Sequence, residues 1–425
     1  MLFTRTSNKK YVVGFDLGET GSQVSWSESG AEPVTFAQKE KGGSGENLYI
    51  PTVLSKKFGA NIWFCGQEAE TRASHGDGTI VRHILSSALQ GRAILIEGQE
   101  YDPCSLLALY VRRVLALMAD TVSTSEISVL LFTMETIDQN TVEMLGRMKG
   151  FLNLTLDGLY WEDHQSSFYS FLLCQNASLH ERDVLLCEWN GEGAMKLVRM
   201  CYNSGTKPAV VYARTDTAPE MSARMTAKEQ RDASFLKVCR RAAPQGQISS
   251  VFLIGQGFAD QWMKESLAYL SYHRRVFLGN NLYSKGAAWS ALLKRDHRSI
   301  QDQYFFLGEN CLSCNIGMLV LHGGSSRYLA VRDAGESWYD LSWEREFIVD
   351  SGNEVHFIFT PLTGGAVRDE TMTLEGLPNR AGRTTRIRVS LSMADVHTLC
   401  VHVEDVGFGE IAAGSGLSWD QRFTV

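Results

Sequence analysis

Three stretches of this 425-residue chain place glycine turns directly after apolar, β-branched runs. Asp16-Leu-Gly-Glu-Thr-Gly21 follows Tyr11-Val-Val-Gly-Phe15, Glu188-Trp-Asn-Gly-Glu-Gly193 follows Asp183-Val-Leu-Leu-Cys187, and Gly255-Gln-Gly257 follows Val251-Phe-Leu-Ile254. Glycine lets a backbone come close to a phosphate or sugar, and consecutive N–H groups make an anion-binding concavity. The first two turns also begin with a carboxylate, Asp16 and Glu188, of the kind that holds a metal ion through water. A single turn of this sort is ordinarily structural. Three in one region describe a site for a nucleotide's phosphates and their metal ion, contacted by Asp16, Gly18, Glu19, Thr20, Gly21, Gly191, Gly193, Gly255, Gln256 and Gly257.

The surrounding pattern supplies elements to hold such turns. Tyr11 to about Val53 reads as short antiparallel strands, with a loop at Lys41-Gly-Gly-Ser-Gly-Glu46. Asp102-Pro103 starts a helix, with Asp as cap and Pro in the first turn, and Leu107, Val111, Val114 and Met118 follow at helical spacing. Ile127–Phe132 reads as a buried strand and Asp138–Lys149 as the helix after it, and strand-then-helix is expected again at Asp183–Cys187 and Val251–Ile254. Alternating strands and helices imply α/β layers. Past residue 300 the helical period disappears. Val355, Phe357 and Phe359 alternate with polar residues, as do Ile387, Val389, Leu391 and Met393, then Leu399, Val401 and Val403, which predicts a β-sandwich-like module. The junction, Tyr304-Phe-Phe-Leu307, is apolar, so this linker is expected to dock.

Bulk properties narrow the class. With 44% hydrophobic and 10% aromatic residues the chain can bury sizeable cores, and its length implies about two or three domains. A formal charge of −7 without a basic run disfavours nucleic acid as a partner. Met1–Lys10 lacks a secretory signal and no apolar run approaches the roughly 18 residues of a membrane span, so neither export nor a membrane partner is expected. Nine scattered cysteines fit reduced thiols in a cytoplasmic protein. Cys311 and Cys314 have C-x-x-C spacing but no second pair, and read as thiols rather than zinc ligands. His164, beside Asp163, reads as a packing or surface residue.

Taken together, these motifs resemble the actin-like ATPases, and within them the DnaK-type heat-shock chaperones. Gly14–Val24 is similar to that family's first phosphate loop, and Ile50-Pro-Thr-Val-Leu54 with Phe64-Cys-Gly-Gln-Glu-Ala69 to its next strand pair. Val129–Thr133 with the helix to Gly150 is similar to the first connecting segment, Val251–Phe258 to the adenosine motif, and Ser284-Lys-Gly-Ala-Ala-Trp289 to the closing helix. Gln303–Leu307 stands where the family has its interdomain linker, and Cys311–Gly317 and Leu374-Glu-Gly-Leu-Pro378 resemble its β-module. The resemblance implies two actin-like α/β lobes at 1–298 (lobe I about 1–182, a reduced lobe II about 183–298), a linker at 299–308, and an all-β peptide-binding-type sandwich at 309–425. ATP or ADP with magnesium is the implied cofactor, and Glu162 falls near a family Glu that helps hold metal-bound water.

The departures point away from catalysis. Glu70 stands where the family has its catalytic lysine, and a carboxylate cannot stabilise charge developing in phosphoryl transfer. Trp189 and Glu192 are added to the second turn, and an extra carboxylate facing a triphosphate opposes binding. Only Leu197–Ser250 separates the second and third turns, where the family has a large adenine-clamping subdomain, of which a helix around Met221–Arg241 would be the remnant. The sequence ends at Val425, so no helical lid over the β-module is expected. The expected function is that of a divergent chaperone-related protein binding polypeptide through its β-domain, at most a weak ATPase. A non-catalytic scaffold docking one dedicated partner is the alternative.

Overall fold

The computed structural model describes residues 10–39, 46–191, 193–221, 227–296, 301–362, 364–380 and 383–425. The loop at 41–45 and Glu192 lie outside the described residues. The chain divides into two compact units, Met1–Phe305 and Phe306–Val425, a division that falls inside the stretch read as linker. Among the described residues no helix is long and apolar enough to cross a membrane.

The first unit contains two mixed sheets. In the first, β1 (Tyr11–Leu17) and β2 (Gly21–Glu28) form an antiparallel hairpin, and β3 (Ile127–Met134) and β4 (Gly158–Asp163) extend it in parallel, in the order β4-β3-β1-β2 followed by Val34–Thr35. The second, of six strands, includes β5 (Asp183–Glu188), β6 (Met195–Asn203), β7 (Ala209–Ala218), β8 (Ile248–Ile254) and β9 (Arg275–Leu278), in the order β9-β8-β5-β6-β7 followed by Tyr304–Leu307. Here too a strand is flanked by an antiparallel neighbour, β6, and a parallel one, β8, which is paired in turn with parallel β9. Both sheets thus follow one plan, with Asp16 next to the last residue of β1 and Glu188 ending β5. The helix expected directly after Asp183–Cys187 is not there. Met195–Asn203 forms a strand that pairs residue for residue with Ala209–Ala218.

The helices are α1 (Gly66–Ser74), α2 (Ile84–Leu89), α3 (Pro103–Leu117), α4 (Gln139–Leu152), α5 (His164–Leu173), α6 (Lys228–Ala242), α7 (Glu265–Ser271) and α8 (Leu282–Asp296). Asp102 caps α3 by accepting from Ser105 N–H, and Asp138 caps α4 through Thr141 N–H, satisfying first-turn donors. α8, at the end of the stretch 183–298, packs against β1 and α5 of the first sheet's layer. Small residues permit this approach. A Cβ on Gly14 would lie 2.2 Å from the Ala288 nitrogen, and one on Gly286 would lie 2.0 Å from the Ser167 carbonyl oxygen. Val12, Val129, Leu131, Ala287 and Leu292 seal that contact. Under the second sheet, Phe235, Phe258, Trp262 and Leu270 pack with Trp189 and Leu253, each large apolar side chain contributing on the order of 1.5–3 kcal/mol.

The second unit is all β among its described regular elements, apart from a single 3-10 turn. One antiparallel sheet comprises β10 (Cys314–His322), β11 (Ser325–Arg332), β13 (Glu354–Pro361) and β14 (Arg368–Thr373), in the order β11-β10-β13-β14. The other comprises β12 (Ser342–Val349), β15 (Thr385–Asp395), β16 (Thr398–Asp405) and β17 (Ser418–Thr424), in the order β12-β15-β16-β17. The predicted alternating residues Phe357, Phe359, Val389, Leu391, Val401 and Val403 are all buried. Phe423 of β17 meets Phe357 and Phe359 of β13, joining the two sheets. Cys311 and Cys314 are buried, and burial raises the Cys314 thiol pKa.

Candidate functional site

Because both sheets of the first unit carry a carboxylate at or next to the end of their leading strands, the tips of β1 and β5 bring Asp16 and Glu188 to one cavity of about 400 Å³. Its walls include Gly18, Glu19, Thr20 and Gly21 of the first turn, Asn190 of the second and Gly255 of the third. Leu85 and Leu89 of α2, Met134, and Leu282 supply apolar surface.

The two carboxylates are joined by a chain of aromatic contacts. Asp16 Oδ1 lies 2.9 Å from His164 Nε2, the first residue of α5, whose start is fixed by Asp163 accepting from Ser166 N–H. The imidazole stacks on Tyr283, with ring centroids 3.7 Å apart and planes 12° from parallel. The Tyr283 hydroxyl donates to Glu188 Oε2 at 2.8 Å. Burial alone would lower the pKa of His164, but the charge and hydrogen bond of Asp16, with Glu188 behind, outweigh it and hold the pKa above the ordinary histidine value. Burial and then Glu188 push the Tyr283 phenol far up, so it stays a donor. Tyr49, on the same wall, is raised to about 12 by burial and then by both Asp16 and Glu188.

The first turn is occupied by its own lobe. Thr52 Oγ1 donates to the Gly18 carbonyl at 2.7 Å, and a Cβ on Gly18 would lie 2.6 Å from the Gly21 carbonyl oxygen, so this glycine is required by a tight turn. Glu19 turns to α2, accepting from the Ser86 N–H and hydroxyl, both at 2.9 Å, and lying 2.9 Å from His83 Nδ1. It thereby satisfies donors at the start of that short helix. Thr20 is exposed at the rim.

The second and third turns close on each other. Trp189 is 2% exposed, its ring edge-on to Phe258 and Trp262, and its backbone accepts from Gly257 N–H at 2.9 Å. Its indole N–H donates to the Gly193 carbonyl. A Cβ on Gly257 would lie 2.4 Å from the indole ring, and Gly255, at φ +102°, has its N–H bonded to Asn280 Oδ1. Of the residues predicted to contact a cofactor, Asp16, Gly18, Glu19, Thr20, Gly21 and Gly255 line the cavity, together with Glu188. Gly191, Gly193, Gln256 and Gly257 are not part of its lining.

Two further candidates lie elsewhere. Glu70 is on α1, ion-paired to Arg82 at 3.0 Å and outside the cavity lining. Glu162 is buried behind the cavity, accepting from Ser167 and Ser290 hydroxyls at 2.6 and 2.5 Å. Burial raises its pKa to about 7 despite Lys294 and the two hydroxyls. Conversely, His164, Tyr49, Tyr283, Glu135 and Asn280 belong to the cavity without having been singled out as site residues. The one sequence signal for His164 was its place at a strand-to-helix junction, after Asp163.

The residues present do not fit a magnesium nucleotide. Asp16, Glu19, Glu135 and Glu188 line the cavity with no Lys or Arg among the described lining residues. Lys196, a cation whose charge acts on His164, is paired to Glu135 at 3.3 Å. Phosphate oxygens brought here would face like charge. Among the described residues no group of three or more His, Cys, Asp or Glu is placed to hold a metal ion.

A family described as the family of unknown function DUF5716, C-terminal, matches residues 32–309. The chain belongs to that family. The DUF5716 match takes in most of both sheets, although β1, β2 and Asp16 precede it. A domain of unknown function, DUF8552, matches residues 311–425, the all-β unit. No curated protein matches the chain.

Proposed function

We propose that this is a divergent DnaK-like, chaperone-related protein on an actin-like framework, whose ATP site is degenerate and whose C-terminal β-unit binds extended polypeptide. The observation that carries the first half is the lining of the cleft: carboxylates from both sheets, no Lys or Arg among the described lining residues, and Trp189 filling the space beneath the third turn. Phosphoryl transfer needs cationic groups where charge develops, and Glu70 sits apart on α1, paired to Arg82. The protein's own residues therefore hold the two lobes' turns in one arrangement rather than responding to a γ-phosphate.

The second half is supported by a groove of about 870 Å³ in the β-unit, lined by Leu319, Leu321, Phe347, Ile348 and Val355. Leu321 is 64% and Ile348 53% exposed. The end of β10 beyond Met318 pairs with β11 but not with β13, and β12 is the edge of its sheet. An extended segment would find strand edges and apolar surface together, the requirements of β-strand addition. Fluorescence anisotropy with a labelled, permanently unfolded polypeptide tests this. Saturable binding, weakened about tenfold or more by Leu321→Asp or Ile348→Asp and unchanged by ATP with magnesium, is expected. Absence of binding to the wild-type protein would refute it.

The internal hydrogen bonds and packing of the turns also favour a second reading, a non-catalytic scaffold for one dedicated partner. A single stoichiometric partner whose binding leaves Leu321 and Ile348 dispensable would select that reading.

A further inference from the structure

We propose that the cleft between the β1 and β5 tips binds a small organic cation, an aliphatic amine carrying one or more ammonium groups. The inference concerns the same cavity as the degenerate ATP site but rests on its lining, not on the chaperone reading.

The first ground is shape and surface. A cavity of about 400 Å³ falls within the range of small-molecule sites. Leu17, Leu85, Leu89, Met134 and Leu282 give it aliphatic walls, which suit the methylene groups of an aliphatic amine. The second ground is the position of the acceptors. Asp16 and Glu188 enter from different sheets, and each has one oxygen fixed, by His164 and by Tyr283. The remaining oxygens, Asp16 Oδ2 and Glu188 Oε1, have no hydrogen-bond partner among the described residues and are already oriented. The His164–Tyr283 stack, centroids 3.7 Å apart, keeps the two carboxylates in one rigid frame. The third ground is the field. Both carboxylates oppose ionisation of Tyr49, so their potential extends over this wall of the cavity. His164 faces Asp16, His83 faces Glu19 and Lys196 faces Glu135, which leaves Glu188, held by the Tyr283 hydroxyl, as the lining carboxylate without a cationic partner among the described residues, a charge that an ammonium group would neutralise.

Calorimetric titration of the full-length protein with spermidine and with 1,4-diaminobutane, at physiological salt, tests the proposal. Magnesium chloride alone and ATP with magnesium are run as separate arms. Saturable one-to-one amine binding is expected, weakened about tenfold or more by Asp16→Asn and by Glu188→Gln and unchanged by Glu70→Gln, which lies outside the cavity. No saturable amine binding, equal loss in Glu70→Gln, or magnesium saturating the site and displacing the amine would overturn it. Should the cleft variants fail to fold, a wild-type crystal soaked in spermidine decides: density between Asp16 and Glu188 supports the proposal, and its absence there contradicts it. The ATP arm reads the degenerate-site proposal independently, so either can fail without the other.

Discussion

The two sheets of the first unit share a plan and differ in how their tips are closed. In the first, polar atoms do the work: Thr52 holds the Gly18 carbonyl, and Glu19 is drawn off to Ser86 and His83. In the second, bulk does it: Trp189 is buried among Phe258 and Trp262 and takes the Gly257 N–H on its own carbonyl. The comparison teaches that two strand tips of one plan, each with a carboxylate and a glycine turn, can be closed by different means. Polar closure is reversible by a competing ligand at modest cost, whereas an aromatic plug can be displaced only by opening a core.

Removing the plug therefore has the largest expected effect. Trp189→Ala should lower stability by about 3–5 kcal/mol, read by chemical denaturation, because it empties a cluster that also holds the third turn. A loss below about 1 kcal/mol would mean the indole is peripheral. The polar side of the comparison is smaller and depends on pH. Glu162 has its folded pKa raised to about 7 against an ordinary 4.5, so its ionisation costs stability. That cost is absent below the unfolded value and accrues as pH rises through about 7. Glu162→Gln should accordingly be near neutral at pH 4.5 and stabilising by roughly 1–3 kcal/mol at pH 8.5, measured as thermal or denaturant midpoints across that range. Equal effects at both ends would place the carboxylate in contact with water.

The Asp16–His164 pair carries the opposite experiment. His164 is raised, so the stability it contributes is fully present below the unfolded histidine value near 6.5 and is lost as pH climbs through the raised folded value. Asp16→Asn should cost about 1–2 kcal/mol at pH 6 and less at pH 9, and the His164 imidazole resonances should titrate at lower pH in the variant. An unchanged titration would show that the carboxylate does not govern the imidazole. Smallest is Glu19→Gln, which keeps hydrogen bonds to Ser86 while removing charge at a six-residue helix; about 0.5 kcal/mol or less is expected from denaturation curves.

Elements with local causes were legible in the sequence. Asp102-Pro103 started α3, and the two-residue alternation at Val355–Phe359 and Leu399–Val403 marked strands, because capping and sheet pleating act within a few residues. What failed depends on distant partners. His164 meets Asp16 across 148 positions and Tyr283 through stacking, so its chain neighbours marked a strand-to-helix junction but not the partners it finds there. Trp189 read as an addition to a phosphate turn, yet its place is in a core assembled by α6 and the turn before α7. Glu162 is one residue before the α5 cap and two before the first residue of the helix, and the facing of its side chain toward Ser167 and Ser290 is set by tertiary packing. Likewise the strand at Met195–Asn203 replaced an expected helix because Ala209–Ala218 was available to pair with it.

The central claim, a framework for nucleotide whose cleft no longer suits one, is tested most directly by calorimetric titration of the full-length protein with ATP and magnesium, with phosphate release followed in the same sample. The account predicts no saturable micromolar binding and no turnover above the buffer rate. Micromolar binding accompanied by brisk, magnesium-dependent hydrolysis would contradict it.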